Sequence, residues 1–190
     1  MTATRTATGL PLGVRLTALT MHKDERGIFT ELYRAAWPTG VRPIQWNVVA
    51  SEANVLRGTH VHIRHDDYLM VIKGRASVGL KDLRRGSPTE GLAALVPMSG
   101  ERLTAITIPH GVLHGFYFHE PSMHIYAVSE YFDMADELGC HWADPDLGLD
   151  WPDIAPMLSA RDAGAPPLSV LLARLEPAQP IGAESVRGYS

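Results

Sequence analysis

Residues 57–74 read RGTHVHIRHDDYLMVIKG and hold three histidines, two aspartates and a closing glycine. Histidine titrates near neutral pH, so an imidazole beside an activated C–H can serve as a base. Imidazoles with a carboxylate can also hold a first-row transition metal. If 54–63 is a strand, His60 and His62 share a face, because side chains alternate along a strand. After a turn at Arg64–Asp66, the segment from Asp67 pairs back and ends at Gly74. Further on, IPHGVLHGF at 108–116 supplies His114. An H-x-H pair alone is more often surface decoration than a ligand pair.

Strands must position these groups. Short segments rich in Val, Ile, Thr, Tyr and Phe fall at 13–20, 27–34, 44–50, 54–63, 67–73, 75–83, 91–97, 102–108, 112–119 and 123–132. They are separated by KDERG, WPTGVRP, KG, RRGSPTEG and PMSGE. Many short strands with turn residues between them indicate an all-β sandwich or barrel. Helical periodicity is confined to LSVLLARLE at 168–176, and 142–156 reads as an irregular loop. The 190 residues are expected to form a flexible N-terminus at 1–12, one domain at 13–178 and a C-terminal tail at 179–190.

Composition narrows the function classes. With 45% hydrophobic and 20% charged residues the chain is ordinary for a soluble globular protein, and no apolar run would span a bilayer. A net charge of -4 argues against a nucleic-acid partner, which would want a basic stripe. The start MTATRTATGLPLGVRL has no apolar core of a secretory signal, and the single Cys140 cannot form an internal disulfide. A cytoplasmic protein with no membrane partner is the expectation.

The pattern His60-x-His62-x4-Asp67-x6-Gly74, followed by Pro109, Gly111 and His114, resembles the double motif of the cupin superfamily. The resemblance implies a double-stranded β-helix, or jelly roll, here with a short C-terminal helical segment. A wider set of stretches is more specific: DERGIFTELYR (24–34), QWN (45–47), VLRGTH (55–60), DLRRGSPTEG (82–91), IPHGVLHGF, IYAVSEYF (125–132) and LSARDAGAP (158–166), in that order. Together, over about residues 14–170, they resemble the dTDP-4-dehydrorhamnose 3,5-epimerase family, a metal-independent branch of the cupins.

That family inverts carbons beside the C4 ketone of a nucleotide-linked 6-deoxy sugar, in deoxysugar biosynthesis. The resemblance implies His60 as the base, Asp162 as the partner that fixes its tautomer, and Tyr126 as the opposing acid. It implies diphosphate contacts from Arg26 and Arg57. It places Glu31, Gln45, Asn47, Glu137 and Arg161 around the nucleotide and sugar, and His114 as a donor to the sugar or enolate oxygen. It also implies a homodimer, with 13–20 as a strand able to complete a neighbour's sheet. Taken alone, Asp-x-Arg-Gly is more often a turn with a surface ion pair, and Asp162 an ordinary cap.

The departures from the family lie in the opening stretch. His62 stands where the family usually has glutamine, and Asp67 where it has lysine. A carboxylate in place of that cation reverses the sign of the charge near a developing enolate. Two other readings follow. One is a metal-dependent cupin oxygenase or isomerase, with a divalent transition metal on His60, His62, Asp67 and His114. The other is a cupin that binds a sugar nucleotide without turnover.

Overall fold

The computed structural model describes residues 4–5, 9–152 and 155–175. The expected tail at 179–190 and residues 1–3 and 6–8 of the expected flexible terminus lie outside them. The strands are β1 (Thr4–Arg5), β2 (Arg15–Ala18), β3 (Met21–Asp24), β4 (Gly27–Thr30), β5 (Gln45–Ser51), β6 (Val55–Val61) and β7 (Asp67–Lys73). They continue with β8 (Arg75–Asp82), β9 (Ala93–Ser99), β10 (Thr104–Ile108), β11 (Val112–Phe118), β12 (Ser122–Val128) and β13 (Leu138–Gly139). Two helices follow, α1 (Ala160–Ala163) and α2 (Leu168–Leu175). No helix among the described residues is long and apolar enough to cross a membrane.

Two antiparallel sheets face each other. One has the order β1-β2-β10-β7-β12-β5 and the other β13-β6-β11-β8-β9, with β3 and β4 forming a separate hairpin. This is the all-β architecture expected from the strand pattern and the jelly roll that the family resemblance implies. The core between the sheets joins Leu69, Val71, Ile106 and Ile108 of the first to Val78, Leu80, Val96 and Phe118 of the second. Removing that apolar surface from water is the main force holding the sheets together.

The apolar run YLMVI in β7 has a physical reason. Leu69 and Val71 point into the inter-sheet core. Tyr68 and Met70 point the other way, under Leu32, Tyr33, Trp37 and Val41. A strand covered on both faces does not alternate in polarity. On the outer face of the second sheet, α2 lays Leu168 and Leu171 against Val61, Leu113 and Leu147.

Several segment expectations change. The KDERG break is the turn of the β3–β4 hairpin, so Met21–Asp24 is a strand. Segment 13–20 is not a free edge: β2 lies between β1 and β10 of its own chain. The first sheet instead ends at β5, whose outward Trp46 and Val48 are exposed. The four-residue α1 carries too short a pattern for helical periodicity to register, and Ser159 caps it by accepting the Asp162 N–H.

Candidate active site

A cavity of about 630 Å³ opens between the two sheets. One wall comes from β5, β7 and β12 through Gln45, Asn47, Asp67, His124 and Tyr126. The facing wall comes from β6 and β11 through Arg57, His60, His114 and Phe116, with His62 just past the end of β6. Glu137, Arg161 and Asp162 close it from the C-terminal part of the chain.

Strand alternation alone cannot place Arg57 and His60 on one face, since they differ by an odd number. A bulge does so. Gly115 pairs with Gly58 and His114 with His60, which leaves Thr59 as an extra residue in β6. A bulge of this kind re-aims the residues after it. Gly58 adopts φ +118°, and a Cβ there would come within 2.9 Å of Gly115 Cα. Thr59 turns outward and donates its hydroxyl to the Cys140 carbonyl at 3.0 Å. Val55 and Arg57 therefore line the cavity before the bulge, and His60 and His62 line it after.

His60 Nε2 lies 2.7 Å from Asp162 Oδ1. Burial pulls the Asp162 carboxyl upward, but hydrogen bonds with His60, Ser159 and the Gly58 N–H leave it below the usual carboxylate range. An ionised Asp162 only accepts, so His60 Nε2 carries the proton and Nδ1 is the basic nitrogen. Tyr126 sits on the opposite wall, paired with Asn47 and Leu69 in its sheet. Burial, followed by Glu137 and Asp67, pushes its phenol above the ordinary value, so it is a protonated donor.

His62, Asp67 and His114 form a separate buried group. His114 Nδ1 donates to the Val112 carbonyl at 3.2 Å, and His62 Nδ1 to the Asp136 carbonyl at 3.3 Å. A carbonyl can only accept, so both Nε2 atoms present lone pairs. Each Nε2 stands 3.9 Å from Asp67 Oδ2. Burial, then neighbouring histidines, hold His62 down at about 2. Burial holds His114 down at about 3, against the pull of the Val112 carbonyl. The Asp67 carboxyl is pushed well up by burial and by Glu137, Asp66 and Asp136. The donor role expected of His114 is thus not available at Nε2. The four-ligand set with His60 is not assembled either, because its Nε2 is held by Asp162.

Arg57 is anchored at the rim by Ser51 Oγ at 2.9 Å and the Ala50 carbonyl at 3.3 Å. Gln45 donates to Asn47 Oδ1 at 3.1 Å and accepts the Phe132 N–H at 3.1 Å. Arg161 reaches Glu137 Oε2 at 3.3 Å. Two expected residues lie elsewhere. Arg26 is at the tip of the β3–β4 hairpin, ion-paired with Asp24 at 2.5 Å, and Glu31 is paired with Arg34.

His124 was not anticipated. It lines the cavity, stacks near Phe116, Phe118 and Tyr126, and leaves Nδ1 without a hydrogen-bond partner. The signal was present in the chain: His124 is two residues before Tyr126 on one strand, and so on one face. Asn47 Nδ2 is likewise buried without a partner, pointing to a polar group that a ligand would satisfy.

The dTDP-4-dehydrorhamnose 3,5-epimerase family matches residues 10–169. A dTDP-4-dehydro-6-deoxyglucose 3-epimerase of Streptomyces bikiniensis is 34% identical over 159 residues, 78% of this chain and 81% of that protein. The crystal structure of a dTDP-6-deoxy-D-glucose-3,5-epimerase from Legionella pneumophila, in complex with dTDP-4-keto-L-rhamnose, superposes with a TM-score of 0.83 at 29% identity. It covers 92% of this chain and 97% of that one. A 3'-monoepimerase from Streptomyces bikiniensis bound to dTDP-quinovose gives 0.77 at 32% identity, over 88% and 89%. A match that spans both sheets and the segment bearing Asp162 places the chain, as an isomerase-class enzyme, in the dTDP-4-dehydrorhamnose 3,5-epimerase family.

Proposed function

We propose that the protein inverts the configuration at C3 of a dTDP-linked 4-keto-6-deoxy sugar. C3 is common to the named reactions of its relatives, which are 3-epimerases and 3,5-epimerases. The observation that carries the mechanism is the His60–Asp162 contact at 2.7 Å on one wall, with Tyr126 on the wall opposite.

The ketone at C4 acidifies the C3–H bond. His60 Nδ1 takes that proton, and the C–H electron pair moves into the C3–C4 bond and onto the ketone oxygen. Asp162 keeps the imidazole in the basic tautomer and stabilises its charged form. Tyr126 then gives its phenolic proton to C3 from the other face as the enolate collapses. Its raised pKa keeps the phenol protonated, and the enolate carbon is basic enough to take a proton from it. The two transfers use side chains of this chain alone.

The rest of the cavity suits the nucleotide. Arg57 offers a guanidinium fork at the rim for the diphosphate. Gln45, Asn47, Glu137 and Arg161 surround it with polar groups. Arg26 and Glu31 are too far round the fold to join the same cavity, and they serve a neighbouring copy in a homodimer. The open β5 edge with Trp46 and Val48, and the hairpin with exposed Ile28 and Phe29, provide the joining surfaces. Sedimentation of the purified chain tests the dimer. The catalytic reading is tested by supplying a dTDP-4-keto-6-deoxy sugar and assigning the C3 configuration of the product by NMR. Recovery of the substrate with unchanged stereochemistry from active-site-saturated protein overturns it.

A further inference from the structure

We infer that His62, Asp67 and His114 form a binding site for one divalent first-row transition metal, set in the floor of the cavity and built without His60. The candidate donor atoms of the three residues all lie within 4.8 Å of one another, and all three residues are buried. Both imidazoles have their Nδ1 protons engaged by backbone carbonyls, at 3.2 Å for His114 and 3.3 Å for His62. Such contacts fix the tautomer and orient metal-binding histidines. The two Nε2 atoms are therefore left open as ligands, each 3.9 Å from Asp67 Oδ2.

The spacing has a direct reading. At 3.9 Å, Asp67 Oδ2 is too far from either Nε2 for a hydrogen bond, and no described residue donates one to it. Ligand atoms around a tetrahedral ion with bonds of about 2.0–2.1 Å lie about 3.4 Å apart. Bringing Asp67 Oδ2 from 3.9 Å to that spacing needs a movement of roughly half an ångström, and the two imidazoles start within 4.8 Å of each other. Two imidazoles and one carboxylate make a donor set used for zinc and iron(II) with open positions left for a ligand.

A second group with metal-like composition, His62, His65 and Asp136, does not compete. Asp136 Oδ1 accepts the Ile63 N–H at 2.8 Å, and Oδ2 accepts His65 Nδ1 at 3.0 Å and the Arg64 N–H at 3.3 Å. That carboxylate clamps the turn after β6 and is already satisfied. The contrast with Asp67, which accepts no hydrogen bond from a described residue, separates the two groups.

The assignment leaves the His60–Asp162 pair intact, so a metal and a free base coexist in one cavity. The binding site stands on geometry alone. Its use as a counter-charge to an enolate oxygen rests on the epimerase reading, so the test is run without substrate. Chelator-stripped, untagged protein is titrated with cobalt(II) chloride, followed by visible absorption and by equilibrium dialysis. The expected result is one ion per chain with the d–d bands of four- or five-coordinate cobalt. Asp67→Asn should weaken binding by about a hundredfold or more, while His60→Asn and His65→Asn keep it. Circular dichroism checks each variant, and His114→Gln replaces Asp67→Asn if that chain does not fold. No saturable binding by the wild type overturns the site. So does unchanged affinity in Asp67→Asn, or a loss in His60→Asn as large as that in Asp67→Asn. Failure to bind cobalt leaves C3 inversion intact, and failure of inversion leaves cobalt binding intact.

Discussion

His60 Nε2 lies 2.7 Å from Asp162 Oδ1, and 102 residues of chain separate them. The contact depends on a bulge in one strand and a capped single-turn helix in another segment, so the fold has to be complete before the pair exists. Asp162 also accepts the Gly58 N–H at 3.4 Å, which ties the carboxylate to the backbone of the bulge.

Replacing Asp162 by Asn keeps the shape and removes the charge that selects the tautomer. An amide can donate to Nε2 and leave the proton on Nδ1. Turnover of a dTDP-4-keto-6-deoxy sugar should fall by about 10²–10⁴-fold. Substrate KM should stay within a few fold, because Asp162 contacts His60 rather than the nucleotide. Steady-state kinetics separates the two. A large KM change with kcat preserved would assign Asp162 to binding.

Tyr126→Phe should uncouple the two proton transfers. His60 can still remove the C3 proton and return one to the same face, so solvent exchange continues. Inversion should fall by about 10²-fold or more, the size of a lost general acid. NMR of the recovered sugar in deuterated water reads both at once. Equal loss of exchange and inversion would mean that Tyr126 is needed for the first transfer as well.

Gly58→Ala tests the device that aims His60. The backbone there is left-handed at φ +118°, and the new Cβ meets Gly115 Cα at 2.9 Å. The strained backbone alone costs about 1–3 kcal/mol, with the contact adding to it. Urea denaturation gives the stability change, and activity should fall further than stability does. A neutral outcome would mean that β6 does not need the bulge.

His124 gives a pH dependence. Burial, then Arg57, holds it down at about 4, so it is neutral in the folded chain while an unfolded histidine protonates near 6.5. The unfolded state therefore binds more protons as pH falls, and stability is lost from about pH 6.5 down to about pH 4. Phe has no such proton. The stability of His124→Phe relative to wild type should improve by roughly 1.4 kcal/mol per pH unit across that window. Urea midpoints at pH 7 and pH 5 measure it. A pH-independent difference would show that His124 is not held neutral.

The sequence made the strands legible because most are short, apolar and bounded by Gly, Pro or Asp. The face shared by His60 and His62 follows from alternation alone. The shared face of Arg57 and His60 does not, because the bulge at Thr59 arises from pairing with β11, which is remote in the chain. The two roles open for the histidine-rich stretch also needed the fold. Sequence spacing put His60 into a four-ligand set, and hydrogen bonding divides that set between Asp162 and the two backbone carbonyls. The motif resemblance implies contacts to the nucleotide from Arg26 and Glu31, and neither lines the cavity of its own chain, a placement that the motif alone does not give.

The central claim is that His60 removes the C3 proton of a dTDP-linked 4-keto-6-deoxy sugar. The most direct measurement is deuterium uptake at C3 in deuterated water, followed by NMR for wild type and His60→Asn. The expected result is deuterium at C3 with inversion in the wild type, and loss of both by about 10²–10⁴-fold in His60→Asn with the nucleotide still bound. Absence of deuterium at C3 with substrate bound to the wild type, or uptake that persists in His60→Asn at the wild-type rate, would contradict it.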